Sequence, residues 1–214
     1  MTDYNQDWFR KHAVPRLHDD IPVEATEPGL PALRSDEDLN RSTGLKTLEK
    51  VRAAAVLVAL LERDGELHVL LTQRSDALPT HAGQIAFPGG KIDKQDAGPV
   101  ECALRETYEE TGVSPEFVEP TGFLDVYETG TGFRIVPVVG LLRPGFTLVP
   151  EPGEVTEIFD IPLAHFMEPA NHLRHSRMWQ GRRRQYYAMP YGDRYVWGAT
   201  AGMMRNLHDR VKGQ

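Results

Sequence analysis

The chain has 214 residues, 40% of them hydrophobic, which is enough for one sizeable hydrophobic core. Its formal net charge of -7 argues against a general electrostatic hold on nucleic acid or on an anionic membrane, because both attract basic surfaces. The single cysteine, Cys102, excludes an internal disulfide and a cysteine-rich zinc site. Because the chain is acidic overall, an anionic substrate needs positively charged groups at its binding site.

The sequence also bears on location in the cell. The apolar run VRAAAVLVALL at 51–61 is shorter than the roughly 18 residues that span a bilayer, and charged residues follow it at once. The first twelve residues, MTDYNQDWFRKH, lack the apolar centre of a signal peptide. We therefore expect a cytoplasmic protein with neither a nucleic-acid nor a membrane partner.

Residues 1–49 are predicted to form an N-terminal arm that is partly irregular. The stretch 19–40 is acidic and broken by proline, with no sustained helical or strand period. Trp8, Phe9, Val14 and Leu17 could form a short helix that packs on the body of the protein or pairs two copies in a homodimer. A frayed terminus is equally compatible with this sequence.

Residues 50–214 are predicted to form the main domain. The valine- and leucine-rich segments 51–61 and 66–72 flank Arg63-Asp64-Gly65, which predicts two paired strands joined by a tight turn. Next come a predicted loop at 75–90, a helix at 99–111, strands at 122–127, 133–141 and 157–161, and a last helix at 199–211. This mixture of strands and helices predicts an α+β sandwich.

Three glutamates crowd the predicted helix, at positions 106, 109 and 110. Their spacing of i, i+3 and i+4 places them on one face of the helix. A solvated acidic face would tolerate them, since each like-charge pair costs only about 0.2–0.5 kcal/mol. The neighbouring Pro88-Gly89-Gly90 favours a metal site instead, because a tight turn there can bring a carbonyl oxygen close to the carboxylates.

These residues resemble the Nudix box. The run from Arg105 to Val113, RETYEETGV, matches the motif half Arg-Glu-U-X-Glu-Glu-X-Gly-U, in which U is bulky and aliphatic, and Gly90 supplies its opening glycine. Thr107 stands where the motif has an aliphatic residue, and Gly90 lies one residue farther from the arginine than in the general box. The motif's isolated glutamate falls on Ala97, with Asp96 beside it as the substitute.

The text before the box is similar to the signature of the coenzyme A diphosphatases (CoA pyrophosphatases) of the Nudix family. LLTQRSDALPTHAGQIAFPGG, residues 70–90, contains Leu-Leu-Thr-x-Arg-Ser, a spaced glycine and Phe-Pro-Gly-Gly. Pro79 occupies a position where that signature has arginine. YVWGATAG at 195–202 is also similar to the family's entry into the C-terminal helix.

The resemblance implies an α/β/α sandwich with a mixed sheet between helices. It also implies hydrolysis of the diphosphate of coenzyme A or a derivative to 3′,5′-ADP and a 4′-phosphopantetheine, with Mg²⁺ or Mn²⁺ as cofactor. The implied metal ligands are Glu106, Glu109, Glu110 and the Gly89 carbonyl, Glu109 is also implied to be catalytic, and Arg105 would orient the ligands. Gly89 and Gly90 would contact the substrate.

Two readings compete with this one. Pro79 keeps open the same chemistry on another nucleoside-diphosphate compound, such as ADP-ribose or NADH. A catalytically silent module of the same fold would bind a nucleotide or a protein partner without cleaving it. The presence of all three glutamates argues against that second reading.

Further candidates lie outside the box. Glu154 is our choice for the general base from among Glu151, Glu154 and Glu157, because it follows the Pro152-Gly153 turn, although each of the three also fits a solvated loop. Arg74 could bind the diphosphate or pair with a neighbouring acid. Arg182, Arg183 and Arg184, flanked by Trp179, Tyr186 and Tyr187, could hold the 3′-phosphate and adenine of coenzyme A, or could be solvated in a hairpin. We expect His81 to fix its loop and Cys102 to be a core residue.

Overall fold

A computed structural model describes residues 4–27, 30–40, 51–179 and 181–213. The helices are α1 (Gln6–His12), α2 (Val23–Thr26), α3 (Pro99–Thr111), α4 (Leu163–Met167) and α5 (Ala199–Lys212). The first strands are β1 (Arg34–Ser35), β2 (Arg52–Arg63), β3 (Glu66–Arg74), β4 (Ile85–Ala86), β5 (Gly89–Lys91) and β6 (Val118–Phe123). The remaining strands are β7 (Tyr127–Glu128), β8 (Phe133–Leu142), β9 (Val155–Pro162), β10 (Leu173–Trp179), β11 (Arg182–Tyr191) and β12 (Arg194–Trp197).

Strands β1 to β9 form one mixed sheet. Its main path runs β1-β7-β8-β2-β3-β4, with β5 paired to β2, β6 to β8 and β9 to β3. The β2–β8 and β1–β7 pairs are parallel, and the other pairs are antiparallel. Strands β10 to β12 form a second, antiparallel sheet of three strands.

Strand β2 shows why helices cover both faces of the main sheet. Its side chains alternate between two cores, so that Val56, Val58 and Leu60 lie in one core and Ala55, Leu57 and Ala59 in the other. The first core also contains apolar residues of α1, α4 and α5, and the second contains Cys102 and Ala103 of α3. A near-continuous apolar run is what a strand buried on both faces requires. The predicted α+β fold with a mixed sheet between helices is therefore confirmed.

Most of the predicted elements are confirmed. Strands β2 and β3, helix α3, strands β8 and β9, and helix α5 lie where the sequence predicts them. Asp64 and Gly65, both with positive φ, form the turn between β2 and β3. Gly112 has φ 76° and ends α3 by donating its backbone N–H to the carbonyl of Tyr108.

Two predictions need correction. The strand predicted at 122–127 is interrupted at Asp125. The Asp125 carboxylate accepts hydrogen bonds from His18 and Arg210, and its backbone N–H donates to Oδ1 of Asn206. The predicted loop at 75–90 contains β4 and the start of β5, because Gly90 pairs with Ala55.

Helix α4 is not predicted from the sequence, and of the sheet of β10 to β12 only a hairpin around 182–184 is considered. The first strand of that sheet, LRHSRMW, mixes charged and apolar residues.

The described part of the N-terminal segment packs against the body of the protein. Helix α1 forms, and Phe9, Ala13 and Leu17 are buried in the first core. The backbone of His18 exchanges two hydrogen bonds with that of Phe123, and Tyr4 accepts one from Leu67. The predicted boundary between residues 49 and 50 lies outside the described residues. Within the described part of the chain, no helix is long and apolar enough to cross a membrane.

Candidate active site

The three glutamates of helix α3 differ in how far their side chains are exposed to solvent. Glu110 faces the interior and is 3% exposed, whereas the Glu109 side chain is 55% exposed. Glu106 lies between these extremes. The cluster therefore extends from the solvent into the protein, as a site that admits a substrate from one side requires.

Arg105 holds this cluster in place. Its Nε and one terminal nitrogen each donate to a different oxygen of Asp96, both at 2.9 Å. The other terminal nitrogen donates to Glu106 at 2.9 Å and to Glu109 at 3.0 Å. A bidentate arginine–carboxylate pair fixes orientation as well as position. Asp96 thus aims Arg105 at two of the three glutamates.

The pKa of Asp96 shows how strong this clamp is. Its side chain is only 1% exposed, and hydrogen bonds from Arg105, with a smaller contribution from the Asp93 backbone, lower its pKa to about 2. The same Asp96 contact raises the pKa of Arg105 above its ordinary value. Both groups therefore stay charged at neutral pH, which preserves the ion pair between Arg105 and Asp96.

Strand β5 brings the backbone against the glutamates. A Cβ atom at Gly90 would lie 2.4 Å from the carboxyl carbon of Glu106, so a larger residue there would displace that carboxylate. Gly89 has φ 152° and lies against the backbone of Ala55 and Val56. The two glycines therefore let β2, β5 and α3 meet without intervening side chains.

Crowding and burial raise the pKa of two of the carboxyls. Burial raises the pKa of Glu110 to about 8, opposed by Arg74 and reinforced by Glu106 and Glu154. Burial also raises the pKa of Glu106, while Arg105 lowers it and Glu109 and Glu154 raise it. The site therefore disfavours the charged forms of these carboxyls, which a cation would stabilise.

Two residues from other segments join this group. Nη1 of Arg74 lies 3.8 Å from Glu110, and its buried Nε has no hydrogen-bond partner in the part of the chain that the structure describes. Glu154 is exposed on its loop and is close enough to raise the pKa of both Glu106 and Glu110. By contrast, Glu157 is bound by Arg194 at 2.5 and 2.6 Å.

Arg183 lies on a different part of the molecule. It is on β11 of the second sheet, and its Nε donates to Ser176 of β10 at 2.8 Å. Alternation along β11 places its side chain on the opposite face from that of Arg184. The structure thus brings together the site residues predicted from α3, β5, Arg74 and Glu154, and places Arg183 elsewhere.

The two structural residues behave as expected. Nδ1 of His81 lies 3.0 Å from Oε1 of Gln84, which ties the turn between β3 and β4. The Cys102 thiol is fully buried and donates to the Lys91 carbonyl at 3.3 Å. Burial raises its pKa to about 12, so it is a poor nucleophile.

The donors fit a hard divalent cation in kind, since they are carboxylates and a backbone carbonyl. Among the described residues, no three acidic, histidine or cysteine side chains are arranged to hold one ion together. Arg105 engages both Glu106 and Glu109. An ion would compete with Arg105 for these two carboxylates.

Comparison with known proteins places the chain in a family. The NUDIX domain model matches residues 51–186. The uncharacterised Nudix hydrolase NudL of Klebsiella pneumoniae (strain 342) is 40% identical over 156 residues, which cover 73% of this chain and 81% of that protein. The mitochondrial Nudix hydrolase 15 of Arabidopsis thaliana is 38% identical over 162 residues. That match covers 72% of this chain and 57% of the Arabidopsis protein.

Solved structures show more distant likeness. A MutT/nudix family protein from Enterococcus faecalis is 20% identical with a TM-score of 0.46, over 81% of this chain and 67% of that one. The NUDIX domain of Shewanella oneidensis NrtR, complexed with ADP ribose, is 23% identical with a TM-score of 0.42, over 59% of this chain and 84% of that one. From the family model and the sequence relatives, the chain belongs to the Nudix hydrolase family.

Proposed function

We propose that the chain hydrolyses the diphosphate bond of coenzyme A or a derivative, giving 3′,5′-ADP and a 4′-phosphopantetheine. The observation that carries the chemistry is the clamp in which Asp96 holds Arg105 between Glu106 and Glu109. The preference for coenzyme A is supported by the signature over residues 70–90. A protein with this composition and an unpaired cysteine would work in the cytoplasm.

Glu106, Glu109, Glu110 and the Gly89 carbonyl would hold Mg²⁺ or Mn²⁺. The ion would supply the positive charge that a diphosphate needs and would make the attacking water more acidic. Arg105 would orient Glu106 and Glu109 rather than touch the reacting atoms, and Asp96 would keep it there. Gly90 would leave room for the Glu106 carboxylate beside the substrate.

Glu154 and Arg74 would act on the substrate itself. Glu154 lies on an exposed loop beside the carboxylate cluster, where it could accept the proton of the attacking water. Arg74 has donor capacity that the described residues leave unused, and it could bind a phosphate oxygen. Because Glu157 is engaged by Arg194, it is the weaker candidate for the base.

The test is to incubate the purified chain separately with coenzyme A, ADP-ribose and NADH, with Mg²⁺, Mn²⁺ or a chelator, and to identify the products by mass. Glu109→Gln is the test variant, and Glu116→Gln is its matched control on an exposed turn outside the cluster. Metal-dependent release of 3′,5′-ADP, lost only in Glu109→Gln, supports the proposal. Cleavage of ADP-ribose or NADH but not of coenzyme A would keep the reaction, change the assigned substrate, and indicate that Pro79 alters the specificity. If no compound were cleaved, the chain would be a binding module rather than an enzyme.

A further inference from the structure

A cleft lies between the N-terminal segment and the second sheet. It encloses about 520 Å³ of space, part of it open to solvent. Ser35, Asp36, Asp38 and Leu39 form one wall, while side chains from β10, β11 and β12 form another. The N-terminal wall lies outside the residues that match the family model, which begin at residue 51.

The register of the second sheet puts aromatic and basic side chains on one face. Arg177 pairs with Arg184, His175 with Tyr186, and Ala188 with Trp197, and paired residues of neighbouring strands project to the same side. The rings of Tyr186 and Trp197 are 5.1 Å apart. The two rings meet edge to face at 61°, so this face offers an aromatic pair inside the cleft.

The two arginines of this face differ in their partners. Arg184 lies over Trp179 at 4.6 Å and is paired with Glu37. Arg177 lies over Trp197, also at 4.6 Å, and no carboxylate of the described residues pairs with it. Arg177 is thus a cation beside an aromatic surface with its charge unneutralised.

Hydrogen bonds within the protein fix the aspartates of the N-terminal wall. Asp36 accepts hydrogen bonds from the Tyr127 hydroxyl at 2.9 Å and from the backbone of Gly130 at 2.8 Å. The Asp38 carboxylate accepts from the backbone and hydroxyl of Ser35. These bonds fix the position of the wall.

The cleft is connected to the carboxylate cluster through a short segment. Gly198 lines the cleft, and Thr200, two residues later, donates to the carbonyl of Ile85 at 3.1 Å. From Ile85 the chain reaches Gly89 in four residues, a span of at most roughly 14 Å. The start of α5 and strand β4 thus link the cleft to the cluster along the chain.

We propose that this cleft binds the phosphorylated nucleoside end of the substrate. The aromatic base stacks on one ring of the Tyr186–Trp197 pair, and Arg177 binds the phosphate. The proposal rests on the proposed function, because with coenzyme A this end is the adenosine 3′-phosphate. It replaces Arg183 with Arg177 as the phosphate-binding arginine and gives the N-terminal segment a part in specificity.

The test uses 3′,5′-ADP and AMP as probes on the metal-free full chain, with binding followed by calorimetry. Arg177→Gln is the test variant, and Arg174→Gln is the matched control on the same strand with its side chain on the opposite face. We expect Arg177→Gln to weaken 3′,5′-ADP about tenfold, and AMP much less, since only 3′,5′-ADP carries the 3′-phosphate. Arg174→Gln should bind both as the unmodified chain does.

Equal binding of 3′,5′-ADP by the Arg177→Gln chain and the unmodified chain would overturn the cleft assignment, as would equal losses in the two variants. The proposed function is judged separately by product release. If binding depended on Arg177 but coenzyme A were not hydrolysed, the proposal for the cleft would stand and the proposed function would fail. If coenzyme A were hydrolysed with a KM that did not depend on Arg177, the proposed function would stand and the proposal for the cleft would fail.

Discussion

The carboxylate cluster and the aromatic cleft are assembled in different ways. The cluster comes almost entirely from residues 89–110, where one turn and one helix meet. The cleft needs residues 35–39, β7 and the second sheet, and its lining residues extend from position 35 to position 198 of the chain. The cluster proposed to hold the metal is thus encoded locally, whereas the surface proposed to select the substrate depends on the tertiary fold.

The largest expected effect separates activity from stability inside the cluster. Glu110→Gln removes a buried carboxyl that would bind the cation in its charged form, so hydrolysis should fall roughly 1,000-fold. The melting temperature of the metal-free chain should rise, because burial makes the charged carboxyl costly and has raised its pKa to about 8. Steady-state kinetics and metal-free thermal unfolding measure the two effects. A lower melting temperature together with full activity would contradict both expectations.

The second prediction tests whether the N-terminal segment belongs to the same folding unit as the rest. Phe9 is 1% exposed in the first core, so Phe9→Ala should cost about 3 kcal/mol of unfolding free energy. Urea unfolding followed by tryptophan fluorescence measures it, with Lys11→Ala on the exposed side of α1 as the control. If both variants unfolded at the same urea concentration, the N-terminal segment would be an independent attachment.

The third prediction concerns the clamp behind the cluster. Asp96→Asn removes the charge that holds Arg105, so the kcat should fall about 10- to 100-fold while the KM changes little. Asp93→Asn is the matched control, because its carboxylate is 60% exposed and lies 4.0 Å from Arg105. Equal kcat values for the two variants would show that Asp96 does not position the glutamates.

The smallest expected effect is a pH dependence at the junction of α5 with the N-terminal segment. Hydrogen bonds from His18 and Asn206 and the charge of Arg210 outweigh burial and lower the pKa of Asp125. Because the folded-state pKa lies below that of the unfolded chain, this stabilisation is present above about pH 4 and is lost as the pH falls through the folded-state value. Asp125→Asn should cost about 1 kcal/mol at pH 7 and less at acid pH.

Unfolding free energies across pH measure this dependence. Asp193→Asn, at a position whose side chain is 94% exposed, should leave the pH profile unchanged. A cost for Asp125→Asn that stays constant down to pH 3 would contradict the assignment of the charge.

The same contrast explains what could be predicted from the sequence. Helix α3, its capping Gly112 and the paired strands β2 and β3 follow from periodicity and turn residues, which act over a few positions. The interruption at Asp125 could not be predicted, because its partners lie at positions 18, 206 and 210. The sequence shows that Asp96 lies beside the motif, but its two hydrogen bonds from Arg105 could be seen only in the structure.

The most direct test of the central claim is the affinity of the chain for Mn²⁺, measured by electron paramagnetic resonance without substrate. We expect Glu106→Gln and Glu109→Gln each to weaken Mn²⁺ binding at least about tenfold. The exposed control Glu116→Gln should bind Mn²⁺ as tightly as the unmodified chain. Equal affinities in all four proteins would contradict the claim that the glutamates of α3 form the metal site of this hydrolase.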